Sequence, residues 1–267
     1  TPQWGGAYDL ELGAISMPSV VAKLTDIGTF VKHHDNASDS LANSDHGGPV
    51  EPSAGKVKQI ATNRVNRACV VDGKANATCF GKFDPEDSTE ILQAALNSSA
   101  SELLIQNVGK PWIVRPLFIN SNDMHIVFEA GTVLLAKRDE FHGSQDSLLK
   151  IIGMHNLSID GNKATFRMRR DDYAVPSRGT CPECKPYTKA EWRMGIFISQ
   201  SENVTIRNLT VTETGGDGLY IDGYPPGYDG ITKGSANIHV ADCILDSNCE
   251  GTMTASSSIR CLPVCYY

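Results

Sequence analysis

The chain has no apolar run approaching the roughly 18 residues that a helical membrane span needs, so no membrane partner is expected and the chain should be soluble. It also lacks a basic excess. Lys and Arg number 24 against 31 Asp and Glu, for a formal net charge of −7. The opposite balance is what nucleic-acid backbones attract, so no nucleic-acid partner is expected. No basic, apolar leader ending in small residues opens the sequence, which begins at Thr1 rather than Met, and this pattern suits a processed chain. No phosphate-binding glycine loop and no dinucleotide fingerprint occur. His33, His34, His46, His125, His142, His155 and His239 are scattered, and none adjoins a Ser or Cys in a nucleophile motif.

What is present points to an oxidising compartment. Cys69, Cys79, Cys181, Cys184, Cys243, Cys249, Cys261 and Cys265 form an even set able to close disulfides, with connectivity left open. Cys181-Pro-Glu-Cys184 is a CxxC, but no second CxxC or His pair at zinc spacing accompanies it, so no metal site is expected there. Asn-x-Ser/Thr acceptor triplets occur at Asn36, Asn76, Asn97, Asn156, Asn203 and Asn208. Together these features predict a secreted, extracellular glycoprotein. Asn156 and Asn203 also read as turn residues of a repeat.

The first 60 residues are rich in Ser, Asp, Gly and Asn with weak periodicity, and predict an irregular arm over 1–60 followed by one domain over 61–267. Asp87-Ser88-Thr89-Glu90 has the form of a capping box, and Ile91, Leu92, Ala95 and Leu96 follow at helical spacing, which predicts a helix near 87–97. Beyond it lie only short β-rich runs between Gly, Asn and Ser. Loop insertions are expected near 171–190 and 224–234.

The runs SNDMHIVFEAGTVLL, MHNLSIDGNKATFRM, SENVTIRNLTVTETGG and SANIHVADCILDSNCE each pair an Asn with alternating apolar residues. Asn122 and Asn156 are 34 positions apart, as are Asn203 and Asn237, and removing the 11-residue insertion Tyr224–Gly234 from the second interval leaves 23. A unit of about 22 residues suits three short strands, each pairing in parallel with its equivalent one repeat later. The expected fold is therefore all-β, a right-handed parallel β-helix or solenoid, with a short N-terminal capping α-helix. In Gly218-Leu219-Tyr220-Ile221-Asp222, alternation turns Leu219 and Ile221 inward and Tyr220 and Asp222 to solvent.

From FDPEDSTEILQAAL through VFEAGTVLLAKRDEF, LSIDGNKATFRMRRDDY and NVTIRNLTV to TGGDGLYI, over roughly residues 80 to 260, the chain resembles secreted right-handed β-helix proteins of the pectate-lyase-like superfamily, such as pectate lyases and polygalacturonases. The resemblance implies a carbohydrate-active protein, a polysaccharide hydrolase or lyase with its groove on the outer face, acting on a polysaccharide or oligosaccharide. The alternative is a non-catalytic glycan-binding or structural protein on the same scaffold.

Three groups of residues carry candidate chemistry. Asp217 and Glu250 each precede a Gly that opens a strand, and their separation less the insertion is 22, one repeat. Their placement is similar to that of polygalacturonase acids, and two adjacent carboxyls divide into a proton donor and an ionised base. The polygalacturonase motifs Asn-Thr-Asp, Gly-Asp-Asp, Gly-His-Gly and Arg-Ile-Lys are absent, and Asp217 equally reads as a turn residue.

Arg167 and Arg169 share an outer face, with Arg170, Lys189 and Arg193 following. A uronic-acid lyase needs cations for the substrate carboxylate and a base for the C5 proton, parts that Arg167 or Arg169 with Lys189 or Tyr173 would fill. Calcium is a candidate ion, with Asp171, Asp172, Glu191 and Asp222 as ligands, while mutual Arg–Asp pairing is the plainer reading. Tyr173, Tyr187, Trp192, Tyr220, Tyr224 and Tyr228 supply faces for stacking on sugar rings. Trp192 equally suits a core anchor. After GTMTASSSIRCLPVCYY no terminal cap is evident, which leaves self-association or a second chain through the last repeat open.

Overall fold

A computed structural model describes residues 68–221 and 234–248 and the backbone of Met253–Ala255. The arm over 1–60 and nearly all of the insertion at 224–234 lie outside the described residues. Fourteen strands follow in chain order: β1 (Lys74–Asn76), β2 (Glu102–Ile105), β3 (Trp112–Val114), β4 (Leu117–Ile119), β5 (Met124–Phe128), β6 (Val133–Ala136), β7 (Leu149–Ile152), β8 (His155–Arg167), β9 (Ile196–Ser199), β10 (Glu202–Thr212), β11 (Leu219–Ile221), β12 (Ala236–Ala241), β13 (Ile244–Asp246) and β14 (Met253–Ala255). Two α-helices accompany them among the described residues, α1 (Thr89–Leu96) and the short α2 (Arg170–Tyr173).

Alternation of apolar and polar residues decides which way each strand faces, and parallel register then stacks like on like. In the nine-stranded sheet, β1-β2-β5-β8-β10-β12 pair in that order and β3, β6 and β13 branch from it. Met124, Leu157, Val204 and Ile238 share one rung, and Ile126, Ile159, Ile206 and Val240 the next inward rung. The five-stranded sheet runs β14-β11-β9-β7-β4. There Leu117, Leu149, Ile196 and Leu219 align, all buried. Leu92 and Leu96 of α1 meet Ile105, Ile126 and Leu117 in the space between the sheets, where the core sits.

This topology corrects the expected all-β, right-handed parallel β-helix with a capping helix. Three strands per repeat would build three sheets, but the strands form two. Paired strand residues are 22, 23, 28, 32, 33, 34, 45 and 47 positions apart rather than a constant 22 or so. The cause is that β8 and β10, of 13 and 11 residues, run through the bend expected to separate two strands. Consequently β8 pairs with both β5 and β6, and β10 with both β12 and β13. Loops of unequal length are absorbed between rungs. Among the described residues the chain is mostly β, with parallel sheets and two helices, and stands nearer the α/β type to which such sheets ordinarily belong.

Where strands begin, an Asx residue turns the chain through the left-handed region, which Asn and Asp tolerate because their side chains bond locally. Asp123, Asn156, Asn203 and Asn237 have φ of 56°, 56°, 56° and 53°. Their side chains form a ladder across four strands. Asn156 Nδ2 donates to Asp123 Oδ1 at 2.8 Å, Asn203 Nδ2 to Asn156 Oδ1 at 3.0 Å, and Asn237 Nδ2 to Asn203 Oδ1 at 3.0 Å.

The start of α1 differs from a capping box. Ser88 Oγ donates backward to the Asp84 carbonyl at 2.7 Å, and it is Asp87 Oδ1 that accepts from the Thr89 N–H at 3.0 Å. Asp87 Oδ2 also meets Lys137 Nζ at 2.8 Å and Arg115 Nε at 3.1 Å, tying the helix to the segments after β6 and β3. From the middle of α1, Gln93 grips the edge strand β4, its Nε2 donating to the Phe118 carbonyl at 2.7 Å and its Oε1 accepting from the Phe118 N–H at 3.0 Å. That pairing occupies an edge that would otherwise be open to another chain.

Burial pushes the Asp87 carboxyl upward, but the bonds from Lys137 and Thr89 and the charge of Arg115 outweigh it and hold the group below the ordinary carboxylate range. A depressed folded-state value means stability that is complete above the unfolded value, near 3.9, and lost as pH falls through the folded one. Asp87→Asn should therefore cost about 1–2 kcal/mol at neutral pH. Urea titrations in strong acid should bring variant and parent together.

Candidate functional site

The four strand triplets of the five-stranded sheet, Leu117-Phe118-Ile119, Leu149-Lys150-Ile151, Ile196-Phe197-Ile198 and Leu219-Tyr220-Ile221, bury their flanking residues, Ile221 only in part, and turn the middle one outward. Register aligns those middle residues into one transverse row, Phe118, Lys150, Phe197 and Tyr220. At about 4.8 Å per strand the row spans roughly 14 Å.

Its members touch. Phe197 and Tyr220 stack with ring centroids 5.7 Å apart and planes 4° from parallel. Trp192, from the segment before β9, meets the Tyr220 ring edge-on at 5.2 Å. Lys150 Nζ lies 5.8 Å from the Phe118 ring centroid, a cation over an aromatic face. Burial lowers the pKa of Lys150, and the charge of Asp146 opposes that shift. Phe118 and Trp192 stay 39% and 36% exposed, so the row keeps open aromatic surface at both ends. Tyr220 points outward as alternation requires, yet is only 6% exposed because Trp192 and Phe197 cover it.

Beside the row, the segment that carries Trp192 is pinned by its neighbour. Arg193 is fully buried, and its guanidinium donates from Nε to the Phe141 carbonyl at 2.9 Å, from one terminal nitrogen to the Thr188 carbonyl at 3.0 Å and from the other to the His142 carbonyl at 3.4 Å. The rings of Tyr173 and Tyr187 lie 5.7 and 5.5 Å from it, and His142 stacks on Tyr187 at 4.3 Å. Gly215 and Gly216 let the turn before β11 close over this cluster. A Cβ at Gly215 would approach Tyr173 Cδ2 to 2.8 Å, and one at Gly216 the Glu191 carbonyl to 2.1 Å. Burial drives the Tyr173 phenol far above its ordinary value and pushes Tyr187 up to about 12, so neither is a base at neutral pH. Arg193 and Tyr173, assigned from sequence to reaction and binding, are interior parts of a clamp that holds the loop 171–191.

The other assigned residues are dispersed. Arg167 faces outward and pairs with Glu213 at 3.5 Å, while Phe166 and Met168 beside it are fully buried. Arg169 donates to the Ala136 carbonyl at 2.8 Å, and Arg170 to the Ser247 carbonyl at 3.0 Å. Lys189 is exposed in the loop. Asp217 is 7% exposed, its backbone N–H on Met194 Sδ at 3.2 Å and its carbonyl accepting from the Gly195 N–H at 3.0 Å. Glu250, Asp222, Tyr224, Tyr228 and Asn36 lie outside the described residues, so the Asp217 and Glu250 pair does too.

Of the calcium candidates, Asp172 pairs with Arg138 at 3.1 Å, Asp171 lies 3.6 Å from Arg170, and Glu191 is exposed. Among the described residues, the group of potential metal ligands that does converge is Cys181, Glu183 and Cys184. There the sulfurs are bonded to each other, so no thiolate pair is presented. Cys69 and Cys79 form a second disulfide and Cys243 is a free thiol, while Cys249, Cys261 and Cys265 lie outside the described residues. Among the described residues no helix is long and apolar enough to cross a membrane.

Phe118, Lys150 and Phe197 were not among the residues singled out from sequence. The signal was there in the four aligned triplets, each with an apolar residue on either side of the outward one.

No protein-family model and no curated protein matches the chain. Among solved structures, a protein of Parabacteroides merdae described as a "putative glycosyl hydrolase" shares 17% identity over 64% of this chain and 95% of that one, with a TM-score of 0.34. A similarity of that size carries no argument about fold or activity.

If Arg193 is a clamp, Arg193→Met keeps much of its bulk and leaves three carbonyls without their donor, at a cost on the order of 3 kcal/mol. Thermal denaturation should register the loss, and limited proteolysis should show faster cleavage between residues 174 and 191.

Proposed function

We propose that this is a secreted carbohydrate-active protein whose glycan lies across the outer face of the five-stranded sheet. The observation that carries the reading is the transverse row of Phe118, Lys150, Phe197 and Tyr220 with Trp192 at its end. Flat aromatic faces in a line match the apolar faces of successive sugar rings, and Lys150 adds a donor for hydroxyl or acidic groups. The two disulfides suit an oxidising compartment.

Hydrolysis fits better than elimination. Three of the arginines that elimination would call on are engaged elsewhere: Arg167 with Glu213, and Arg169 and Arg193 with backbone carbonyls. Tyr173 is buried and firmly protonated. Asp217 is the carboxyl we assign to acid or base work, with Glu250 as its partner from the spacing of the sequence. One observation favours a second reading, in which the face binds glycan without cleaving it: Asp217 is only 7% exposed.

Titration calorimetry with a panel of neutral and acidic oligosaccharides tests the face itself. Trp192→Ala or Phe118→Ala should weaken binding about tenfold, near 1.4 kcal/mol, and unchanged affinity in both would remove the face from consideration. Incubation with the polysaccharides that bind separates the two readings. New reducing ends that disappear in Asp217→Asn indicate hydrolysis through that carboxyl. Unsaturated products indicate elimination, and binding without either product indicates a lectin-like role.

A further inference from the structure

Five of the six acceptor triplets lie on described residues, and their asparagines sit in two kinds of place. Asn156, Asn203 and Asn208 all have φ near 56–57° and all use Nδ2 as a donor to a neighbouring strand. The first two belong to the Asx ladder, and Asn208 donates to Asp160 Oδ1 at 3.2 Å. In each triplet the middle residue, Leu157, Val204 or Leu209, is buried in the core, and the third, Ser158, Thr205 or Thr210, points outward. That is the pattern of alternation starting at a strand opening, for Asn156 and Asn203, or resuming after the bend within β10, for Asn208: a left-handed Asx, an inward apolar residue, then an outward polar residue. The ladder's other members repeat the pattern without forming an acceptor. Asp123-Met124-His125 and Asn237-Ile238-His239 place Asx and an apolar residue identically, with His in the third position.

Asn76 and Asn97 differ. Asn76 is exposed at the end of β1, the outermost strand of its sheet among the described residues, and its side chain makes no hydrogen bond to a described residue. Asn97 is exposed just past α1. Its Oδ1 accepts from Gln93 Nε2 at 2.8 Å and Asn120 Nδ2 at 2.9 Å, which fixes the amide by its oxygen and leaves Nδ2 directed away from both donors.

We propose that Asn76 and Asn97 are the N-glycan attachment sites within the described residues, and that Asn156, Asn203 and Asn208 are unmodified structural donors whose triplets arise from strand grammar. Attachment joins Nδ2 to C1 of the sugar, breaks the C1–oxygen bond of a polyisoprenyl diphosphate-linked oligosaccharide, and passes the amide proton to the departing diphosphate. At Asn76 and Asn97 the new bond displaces no partner. At Asn156 and Asn203 it would place a sugar ring on an atom already within 2.8 and 3.0 Å of the next ladder residue.

The full chain, secreted from a eukaryotic host behind a supplied leader, is treated in heavy-oxygen water with an amidase that hydrolyses the glycan-bearing side-chain amide, releasing the glycosylamine and converting each occupied Asn to labelled Asp, and its peptides are mapped by mass. Label is expected at Asn76 and Asn97 and at none of Asn156, Asn203 or Asn208. Label at any of those three, or its failure to appear at either Asn76 or Asn97, overturns the proposal. Two variants separate a structural amide from a glycan's effect. Thr205→Val destroys the acceptor but keeps Asn203, and should leave the melting midpoint unchanged, whereas Asn203→Gln should lower it by several degrees. Equal losses in both would mean that a sugar on Asn203, and not its place in the ladder, was contributing.

Discussion

Everything in this molecule depends on strands lying parallel and in register, because that arrangement turns a local alternation of residues into rows that cross the whole sheet. Inward rows become continuous stacks of Leu, Ile and Val, such as Ile126, Ile159, Ile206 and Val240. Burying such side chains supplies the main favourable term in folding. Outward rows become whatever their members' chemistry allows. A register slip of one residue would exchange the two sets, and the Asx ladder at the strand openings guards against it. The side-chain amides there bond their counterparts on the neighbouring strands.

The same rule makes the aromatic row. Phe118, Lys150, Phe197 and Tyr220 come from four separate strands, and no local motif unites them. Trp192 completes the row only because its segment is held in place, and the holding is done by Arg193. A guanidinium deprived of water needs its donors filled, and the carbonyls of Phe141, Thr188 and His142 fill them. A residue that looks reactive in sequence thus serves by connecting two loops.

Charge is used in a similar way elsewhere. Asp87 gathers Arg115, Lys137 and Thr89, and Asp160 gathers Arg207, Asn208 and the Asn162 N–H, each joining chain segments far apart in sequence. In both, burial raises the carboxyl's pKa, and the bonds it accepts more than compensate. The arginines at the end of β8 and just after it follow suit by pairing with Glu213 or with backbone carbonyls. A cluster of Arg and Asp in sequence therefore reflects fastening more than a waiting substrate, and the surface with open aromatic faces lies on the other sheet.

Period-two alternation, the Asn at each strand opening and the amphipathic stripe of Ile91, Leu92, Ala95 and Leu96 were enough to announce parallel strands and one helix, because each depends on near neighbours in the chain. Alternation also implied that Phe166 and Met168 turn inward while Arg167 turns out. The expectation of three sheets failed at residues whose fate is settled at a distance. Nothing local to Gly161 or Asn208 says that β8 and β10 will continue through their bends, since that depends on which strands wait on either side. Likewise, sequence identified Asp217, Arg193 and Tyr173 as polar or aromatic residues near turns, but burial is a property of what packs over them. Sequence by itself determined which residues can form strands and which faces those strands bury. Only tertiary structure decided which outward residues become neighbours and which charges remain open to solvent, because strand pairing across 22 to 47 residues depends on loop lengths and register that no short segment encodes.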